Sequence, residues 1–330
     1  MSVPAAARIG SLTLADDGKV TTSVERKPAQ LVDGPIHLDG GKLMNADKVL
    51  AADLGTIDSL DLSEVRSEVA FSALHEGNFD IGLVNIEGGD VHWMPNDPSD
   101  EVAVQWAPRG HKISYLIRGK GGDLVRTLHI PSAYQFAIPF TNATIHALAW
   151  DPQAERYAVA YSTPDSSDRV EVLKYDGEGR RLAIDSSSKL DVEVKPFAPG
   201  AILLHPRDVL YDEKLPVVVW LADDFAWNDA RAQLMRNARV ALVVTKTLTD
   251  ALWSAANEIP WLDASRRFVV GTTDTNARVT SIITEPTLPL GQYRRSGNIV
   301  AVAPAVVQSF AAGFIADQLK RDSPKNVSSR

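Results

Sequence analysis

Residues 106–130 read WAPRGHKISYLIRGKGGDLVRTLHI. Two runs rich in β-branched and aromatic residues, KISYLI and DLVRTLHI, flank a Gly-Lys-Gly-Gly turn. Runs of this kind bounded by glycines predict a β-hairpin. A tryptophan opens the stretch, and Trp150 lies 44 residues later, opening WDPQAERYAVAYSTPDSSDRVEVLKYDGEG. One step earlier, Leu62 opens LSEVRSEVAFSALHEGNFDIGLVNIEGG. A period of about 40–45 residues is that of a four-stranded propeller blade.

The phase holds inside the repeat. Val69, Ile113 and Tyr157 correspond, as do Phe71, Tyr115 and Val159, and Asp80, Asp123 and Asp168 fall near the start of a following strand. EGGD, GKGGD and YDGEG supply the Gly and Asp of tight turns. Pro108 and Pro152 suit the turn leaving the first strand. The reading is three blades over about residues 55–185, with RIGSLTLADDGKVTTSVE adding strands of a partial fourth. A generic β-meander is the plainer alternative.

Beyond residue 190 the texture changes. LPVVVWL (215–221) is an unbroken apolar run, as in a strand covered on both faces. NDARAQLMRNA follows as a helix with Asn228 placed to cap it. RVALVVT, RFVVG and NIVAVAP read as further buried strands, TLTDALWSAANE as a second helix and AVVQSFAAGFIADQLKR as a closing amphipathic helix. Its apolar positions Val306, Val307, Phe310, Phe314, Ile315 and Leu319 keep helical spacing. Strand and helix alternate, which predicts a parallel sheet. The expected organisation is multi-domain, β plus α/β: repeats over residues 1–190, and a four-stranded α/β domain with a polar tail over 191–330.

These residues carry a resemblance. WAPRGHKISY and FDIGLVNIEGG are similar to TolB-like propeller repeats. KLPVVVWLADDF, FVVGTTDTNARV and IVAVAPAVV resemble the opening strand, the nucleophile region and the next strand of the prolyl oligopeptidase family. That resemblance implies a small or partial β-propeller of about three to four blades, followed by a truncated α/β-hydrolase domain.

The catalytic motifs depart from the family. An α/β-hydrolase places its nucleophile in a G-x-S-x-G turn. Here the turn is Gly271, Thr272, Thr273, Asp274, Thr275. Thr273 stands at the nucleophile position, and the β-branched Thr275 replaces the second small residue. The His-Gly-Gly segment that serves the oxyanion is replaced by Ala222, Asp223 and Asp224. Carboxylates there oppose developing negative charge. The base should follow the nucleophile, yet the histidines are His37, His75, His92, His111, His129, His146 and His205.

Composition narrows the function classes. The net charge of −8 argues against a nucleic-acid partner. With no cysteine there is no disulfide, thiolate metal site or cysteine nucleophile. The N-terminus lacks the pattern of a signal peptide, and no run reaches the ~18 apolar residues of a membrane span, so a cytoplasmic location is expected. Asp223, Asp224 and Asp229 read as helix-terminus acids rather than a metal site. GTTDTN could offer backbone N–H groups to an anion, but Asp274 opposes that, and Asp274 or Thr275 reads as a helix cap. DVLYDE and DSSSKLD read as solvated linker, His205 as structural, and the tail KRDSPKNVSSR as polar surface.

The resulting expectation is a pseudoenzyme: no catalytic residue, cofactor or metal, and a scaffold subunit bound to protein partners in a larger assembly, with a membrane-associated complex left open. The alternatives are a serine-type peptidase or esterase with a rearranged site using Thr273 or another hydroxyl, and a small-ligand module in the cleft between the halves.

Overall fold

The computed structural model describes residues 11–23, 35–39, 41–95, 98–119, 121–185, 189–223, 225–271, 280–284, 286–290 and 292–322. The chain forms two compact units, Ala7–Ser162 with Asp168–Ser186, and Thr163–Ser167 with Ser187–Arg330. Among the described residues no helix is long and apolar enough to cross a membrane.

The first unit is built from antiparallel sheets in chain order. A two-stranded sheet holds β1 (Ser11–Leu14) and β2 (Val20–Ser23). A three-stranded sheet holds β3 (Ile36–Asp39), β4 (Lys42–Asn45) and β5 (Lys48–Ala51). Three four-stranded sheets follow. The first contains β6 (Ile57–Ser63), β7 (Glu68–His75), β8 (Asn78–Asn85) and β9 (His92–Trp93). The second contains β10 (Glu101–Trp106), β11 (Lys112–Ile117), β12 (Leu124–His129) and β13 (Tyr134–Pro139). The third contains β14 (Thr144–Trp150), β15 (Arg156–Thr163), β16 (Ser166–Lys174) and β17 (Arg181–Asp185).

The repeat read from the sequence is visible in strand register. Leu62 pairs with Val69, Trp106 with Ile113 and Trp150 with Tyr157, at the same place in three successive sheets. The first strand of each carries an irregularity near its start, at Ile57/Ser59, Val102/Gln105 and Ile145/Ala147. Trp106 and Trp150 are both buried, 6% and 9% exposed, so they are core residues and not an exposed stacking platform. Asp123 precedes β12, whereas Asp80 and Asp168 lie inside β8 and β16.

Hydrogen bonds step from sheet to sheet at the same period. Asp58 Oδ2, Ser59 Oγ and Asp61 Oδ2 accept the backbone N–H groups of Ala103, Val104 and Trp106. At the next boundary Gln105 Nε2 and Lys112 Nζ donate to the carbonyls of Leu148 and Ala154. The repeat period is therefore also the hydrogen-bonding period between neighbouring first strands.

The second unit centres on one eight-stranded sheet. Its strands are β18 (Val192–Ala198), β19 (Ala201–Pro206), β20 (Leu215–Leu221), β21 (Ala241–Thr245), β22 (Leu262–Val270), β23 (Thr280–Thr284), β24 (Tyr293–Ser296) and β25 (Ile299–Val302). The spatial order is β18-β19-β21-β20-β22-β23-β25-β24. The inner strands β21, β20, β22, β23 and β25 are parallel, while β18, β19 and β24 run antiparallel to their neighbours. Among the described residues three helices accompany the sheet: α1 (Asp229–Asn237), α2 (Asp250–Glu258) and α3 (Val307–Asp322), the last entered through a 3₁₀ turn at Pro304–Val306.

Alternate residues of each parallel strand face opposite layers. Val218, Trp220, Leu242, Val244, Phe268 and Val270 pack with Leu234 of α1 and Ile315 and Leu319 of α3. Val217, Val219, Ala241, Val243 and Val269 pack with Leu252 and Ala256 of α2. Both faces are covered, which is why these strands read as unbroken apolar runs. In α3 the buried stripe is Ala311, Ala312, Ile315, Ala316 and Leu319, and Phe310 and Phe314 are only half-buried.

Two sequence expectations change here. The α/β sheet has eight strands, not the four of a remnant. The residues between the two linker stretches, which the sequence reading assigned to no strand, supply the antiparallel pair β18 and β19. β23 and β24 complete the far side. The helix expected just after Gly271 falls outside the described residues, and the connection there, residues 271–279, is shorter than the dozen or more residues of a usual helical crossover between parallel strands.

Candidate functional site

In an open parallel sheet, ligands bind outside the carboxyl ends of the strands, where successive connections part to opposite sides. The chain leaves β20 through α1 to β21 on one side, and β22 then lies on the other side of β20. That point is the crevice between the carboxyl ends of β20 and β22. Trp220 and Val270 are in register across it, and Leu221 and Gly271 are the next residues.

Gly271 has φ +87°, a conformation open to glycine. A Cβ at Gly271 would stand 3.4 Å from the Leu221 carbonyl oxygen. The chain thus turns sharply off the end of a buried strand, close against its neighbour. The flanking backbone donors are already used. Gly271 N–H donates to Ile282 O at 3.0 Å, and Ala222 N–H donates to Thr245 O at 2.9 Å. Donors for an oxyanion would have to come from the loops beyond them. Thr273, with Asp224, Asp274 and Thr275, lies outside the described residues.

The loop after β20 is fixed by the start of α1. Asn228 Oδ1 accepts the Arg231 N–H at 3.0 Å as the helix cap, and its Nδ2 donates to Gln308 Oε1 of α3 at 2.6 Å. Asp229 Oδ1 accepts the Trp227 indole N–H at 2.9 Å. The Arg231 guanidinium is buried and donates to the Ala226 carbonyl. Asp223 is exposed beside this loop. No group of three His, Cys, Asp or Glu side chains able to hold a metal exists among the described residues.

After β21 the Thr245 hydroxyl donates to Thr247 O at 3.0 Å and accepts the Thr247 N–H at 3.3 Å. This tight turn presents Lys246 on the same edge, exposed. Sequence reading passed over Lys246 because nothing in its neighbours marks it; only the strand order brings it to the site edge.

His205 is the sole histidine of residues 187–330. It does not reach this edge. β19 runs antiparallel to β21, with Ala201 opposite Thr245 and Leu204 opposite Leu242. His205 therefore sits toward the amino ends of the parallel strands, buried beside Trp261 and 3.5 Å from Glu193. A cavity of about 340 Å³ also opens at the amino ends, lined by Glu213, Lys214, Arg239, Arg266 and Lys320 among others. Glu213, Lys214, Arg239 and Arg266 are engaged within the unit. Hydrogen bonds from Arg239 hold the Glu213 carboxyl below its usual range. Burial alone would raise Asp263, but hydrogen bonds from Ser265 and Arg266 outweigh it and bring its pKa to about 2.

No protein-family model matches the chain, and no curated protein matches it in sequence. Solved structures match in fold. The acylaminoacyl peptidase of Pyrococcus horikoshii aligns with TM-score 0.54 at 12% identity, over 76% of this chain and 49% of its own. Oligopeptidase B of Leishmania major aligns with TM-score 0.54 at 8% identity, over 83% of this chain and 48% of its own. Dipeptidyl peptidase 4 of Porphyromonas gingivalis aligns with TM-score 0.50 at 12% identity, over 72% and 43%. The chain spans about half the length of these structures.

These matches correct the expectation of a non-catalytic scaffold. The matched structures are peptidases, which favours the hydrolase alternative over the pseudoenzyme. The sequence departures at Thr273 and at residues 222–224 stand as read, whereas the four-stranded remnant does not, because the sheet has eight strands. The chain has the fold of peptidases that join a β-propeller to an α/β-hydrolase domain, at low sequence identity.

Proposed function

We propose that the chain is a hydrolase of acyl bonds, peptide or ester, with its reaction centre in the crevice between the carboxyl ends of β20 and β22. The observation that supports this reading is Gly271, with its positive φ, following β22 beside the carboxyl end of β20, a position at which an α/β-hydrolase would mount its nucleophile turn. That loop carries three threonines, Thr272, Thr273 and Thr275, of which Thr273 stands at the nucleophile position of the G-x-S-x-G pattern. Attack by the Thr273 hydroxyl on a carbonyl would expel the amine or alcohol and leave an acyl-threonine for water to hydrolyse. A base must take the Thr273 proton, and His205 is on the wrong edge. Among the described residues Lys246 is a basic side chain on the right one, and a lysine paired with a hydroxyl is an established substitute for histidine. Strands lie about 4.8 Å apart, so Lys246 starts roughly 10 Å from the β22 line, within reach of a long side chain and a short loop.

On the same footing we read the five sheets of the first unit as blades of one small propeller, two of them incomplete. The domain boundary lies near residue 190, and the protein is cytoplasmic.

A fluorophosphonate probe and a panel of peptide and ester substrates test the reading. Stoichiometric labelling that disappears in Thr273→Ala supports it. Absence of both labelling and turnover, in protein shown to be folded, overturns it.

A further inference from the structure

DVLYDE, residues 208–213, lies on the connection from β19 to β20. The Glu213 N–H donates to the Leu210 carbonyl at 3.1 Å, which closes a four-residue turn with Tyr211 and Asp212 at its tip. Tyr211 is fully exposed, and Leu210 is 65% exposed. Tyrosine is ordinarily intermediate in burial, so two large apolar side chains left bare on one turn are an informative exception.

The loop is braced at its base. Arg239, which follows α1, holds both ends of it. Its Nη1 donates to Asp208 Oδ1 at 3.1 Å, its Nε to Glu213 Oε1 at 2.6 Å and its Nη2 to Glu213 Oε2 at 2.7 Å. Glu213 Oε2 also accepts the Leu210 N–H at 3.2 Å. A ring presented on a braced turn loses little freedom when it is bound, and tyrosine is a large, rigid anchor.

Two residues beyond the tip, the same chain lines the amino-end cavity of about 340 Å³. Its wall includes the apolar Leu215, Pro216, Ala316 and Leu319, with Lys320 beside them. Cavities from about 300 Å³ accept small organic ligands, so a single phenol ring fits. Tyr211 does not fill the cavity of its own chain, because it is fully exposed. Asp212 and Lys320 are both exposed, and neither has an ion-pair partner among the described residues. The tip therefore carries an aromatic ring and an unpaired carboxylate, and the cavity offers an apolar wall and an unpaired ammonium.

We propose that this chain pairs with a second copy of itself through these two features. Tyr211 of each copy enters the amino-end cavity of the other, and Asp212 meets Lys320 of the partner subunit. Loop and cavity adjoin on one surface, so a two-fold axis beside them makes both insertions at once and closes the assembly. The contact is small, which places it at the weak, transient end of protein interfaces, with a dissociation constant of about micromolar or above. It lies at the amino ends of the parallel strands, away from the crevice at their carboxyl ends, and does not depend on the reaction proposed there.

Sedimentation velocity on the full chain, from roughly 1 to 300 µM, tests the pairing. Wild type should pass from monomer toward dimer across that range. Tyr211→Ser alters a side chain with nothing packed on it, so the variant should fold normally and dimerise at least ~10-fold more weakly, as for loss of an aromatic anchor. Asp212→Lys and Lys320→Asp should each weaken the dimer, and the two together should restore it. Lys42→Asp, an equal charge change at an exposed site in the first unit, should leave it unchanged. Wild type that stays monomeric throughout overturns the proposal and leaves the tip to a different protein. A dimer that Tyr211→Ser does not weaken, or that Lys42→Asp weakens as much as Lys320→Asp does, overturns it as well.

Discussion

The carboxylate of Asp61 accepts the backbone N–H of Trp106, 45 residues away, at 2.7 Å. It also accepts the N–H of Leu62 at 3.0 Å through its other oxygen. A side chain of one sheet thus satisfies the first strand of the next. The cost is burial, which outweighs the two hydrogen bonds and raises the Asp61 pKa from 3.8 to about 6.

A pH dependence follows, with a definite sign. The folded state binds the Asp61 proton more tightly than the unfolded state does. Its contribution to stability is therefore complete below pH ~4 and is lost as pH rises through about 6. Two pKa units correspond to at most about 3 kcal/mol. Asp61→Asn keeps an acceptor for Trp106, removes the charge and gives up the second acceptor, the one that takes the Leu62 N–H. Urea midpoints should show its stability relative to wild type rising by about 1–3 kcal/mol between pH 4 and pH 7–8, by this order-of-magnitude conversion. Asp61→Ala removes the acceptor and should lose about 1–2 kcal/mol at pH 4. A wild-type midpoint that is flat from pH 4 to 7 would falsify the assignment.

The tryptophans make a second case. Trp106 and Trp150 are register-equivalent and buried, and neither indole N–H has a hydrogen-bond partner among the described residues. Their value is packing, such as the edge contact of Trp150 with Tyr157 at 5.1 Å. Either residue changed to Ala should cost about 3–5 kcal/mol. Either changed to Phe should cost far less, because no hydrogen bond is broken. Denaturant melts in which Phe and Ala variants lose equally would show that the indole N–H is bonded after all.

The legible part of this molecule is what repeats or alternates. The 44-residue spacing of Trp106 and Trp150 set the sheet phase, and Asn228 marked the start of α1 as the structure has it. β18 and β24 escaped because edge strands need not look like strands. VEVKPFA carries a proline in mid-run, which argues against a central strand, and YRRS is exposed at every position. The site was half legible. Gly271 ending a buried strand pointed to the turn, but no local pattern shows that Lys246 shares its edge or that His205 does not. Those facts depend on strand order, and strand order is set by long-range packing.

The electrostatics of the proposed centre give a third prediction. Asp223 is exposed beside the crevice, where an acyl-transfer oxyanion would develop. Its charge opposes that oxyanion, though solvent weakens the effect. Asp223→Asn should raise kcat/KM severalfold for a neutral ester, and more so at low ionic strength. A variant rate equal to wild type at every salt concentration would place the reaction elsewhere.

The nucleophile gives the most discriminating test. A threonine at Thr273 brings a β-methyl group to a turn that must expose a bare oxygen, and Thr275 keeps a β-branched residue where such a turn favours a small one. If Thr273 attacks the substrate, both features slow it. Thr273→Ser should then raise kcat by about tenfold, a barrier change of about 1.4 kcal/mol. Adding Thr275→Gly should raise it further, because strain in the turn falls. Thr273→Ala should abolish turnover and probe labelling together. Lys246→Ala should lower kcat and remove the acidic limb of the pH profile, which reports protonation of the base, whereas a purely structural lysine would leave that limb in place. Turnover that survives in Thr273→Ala, or a Thr273→Ser variant no faster than wild type, assigns the attacking hydroxyl to another residue.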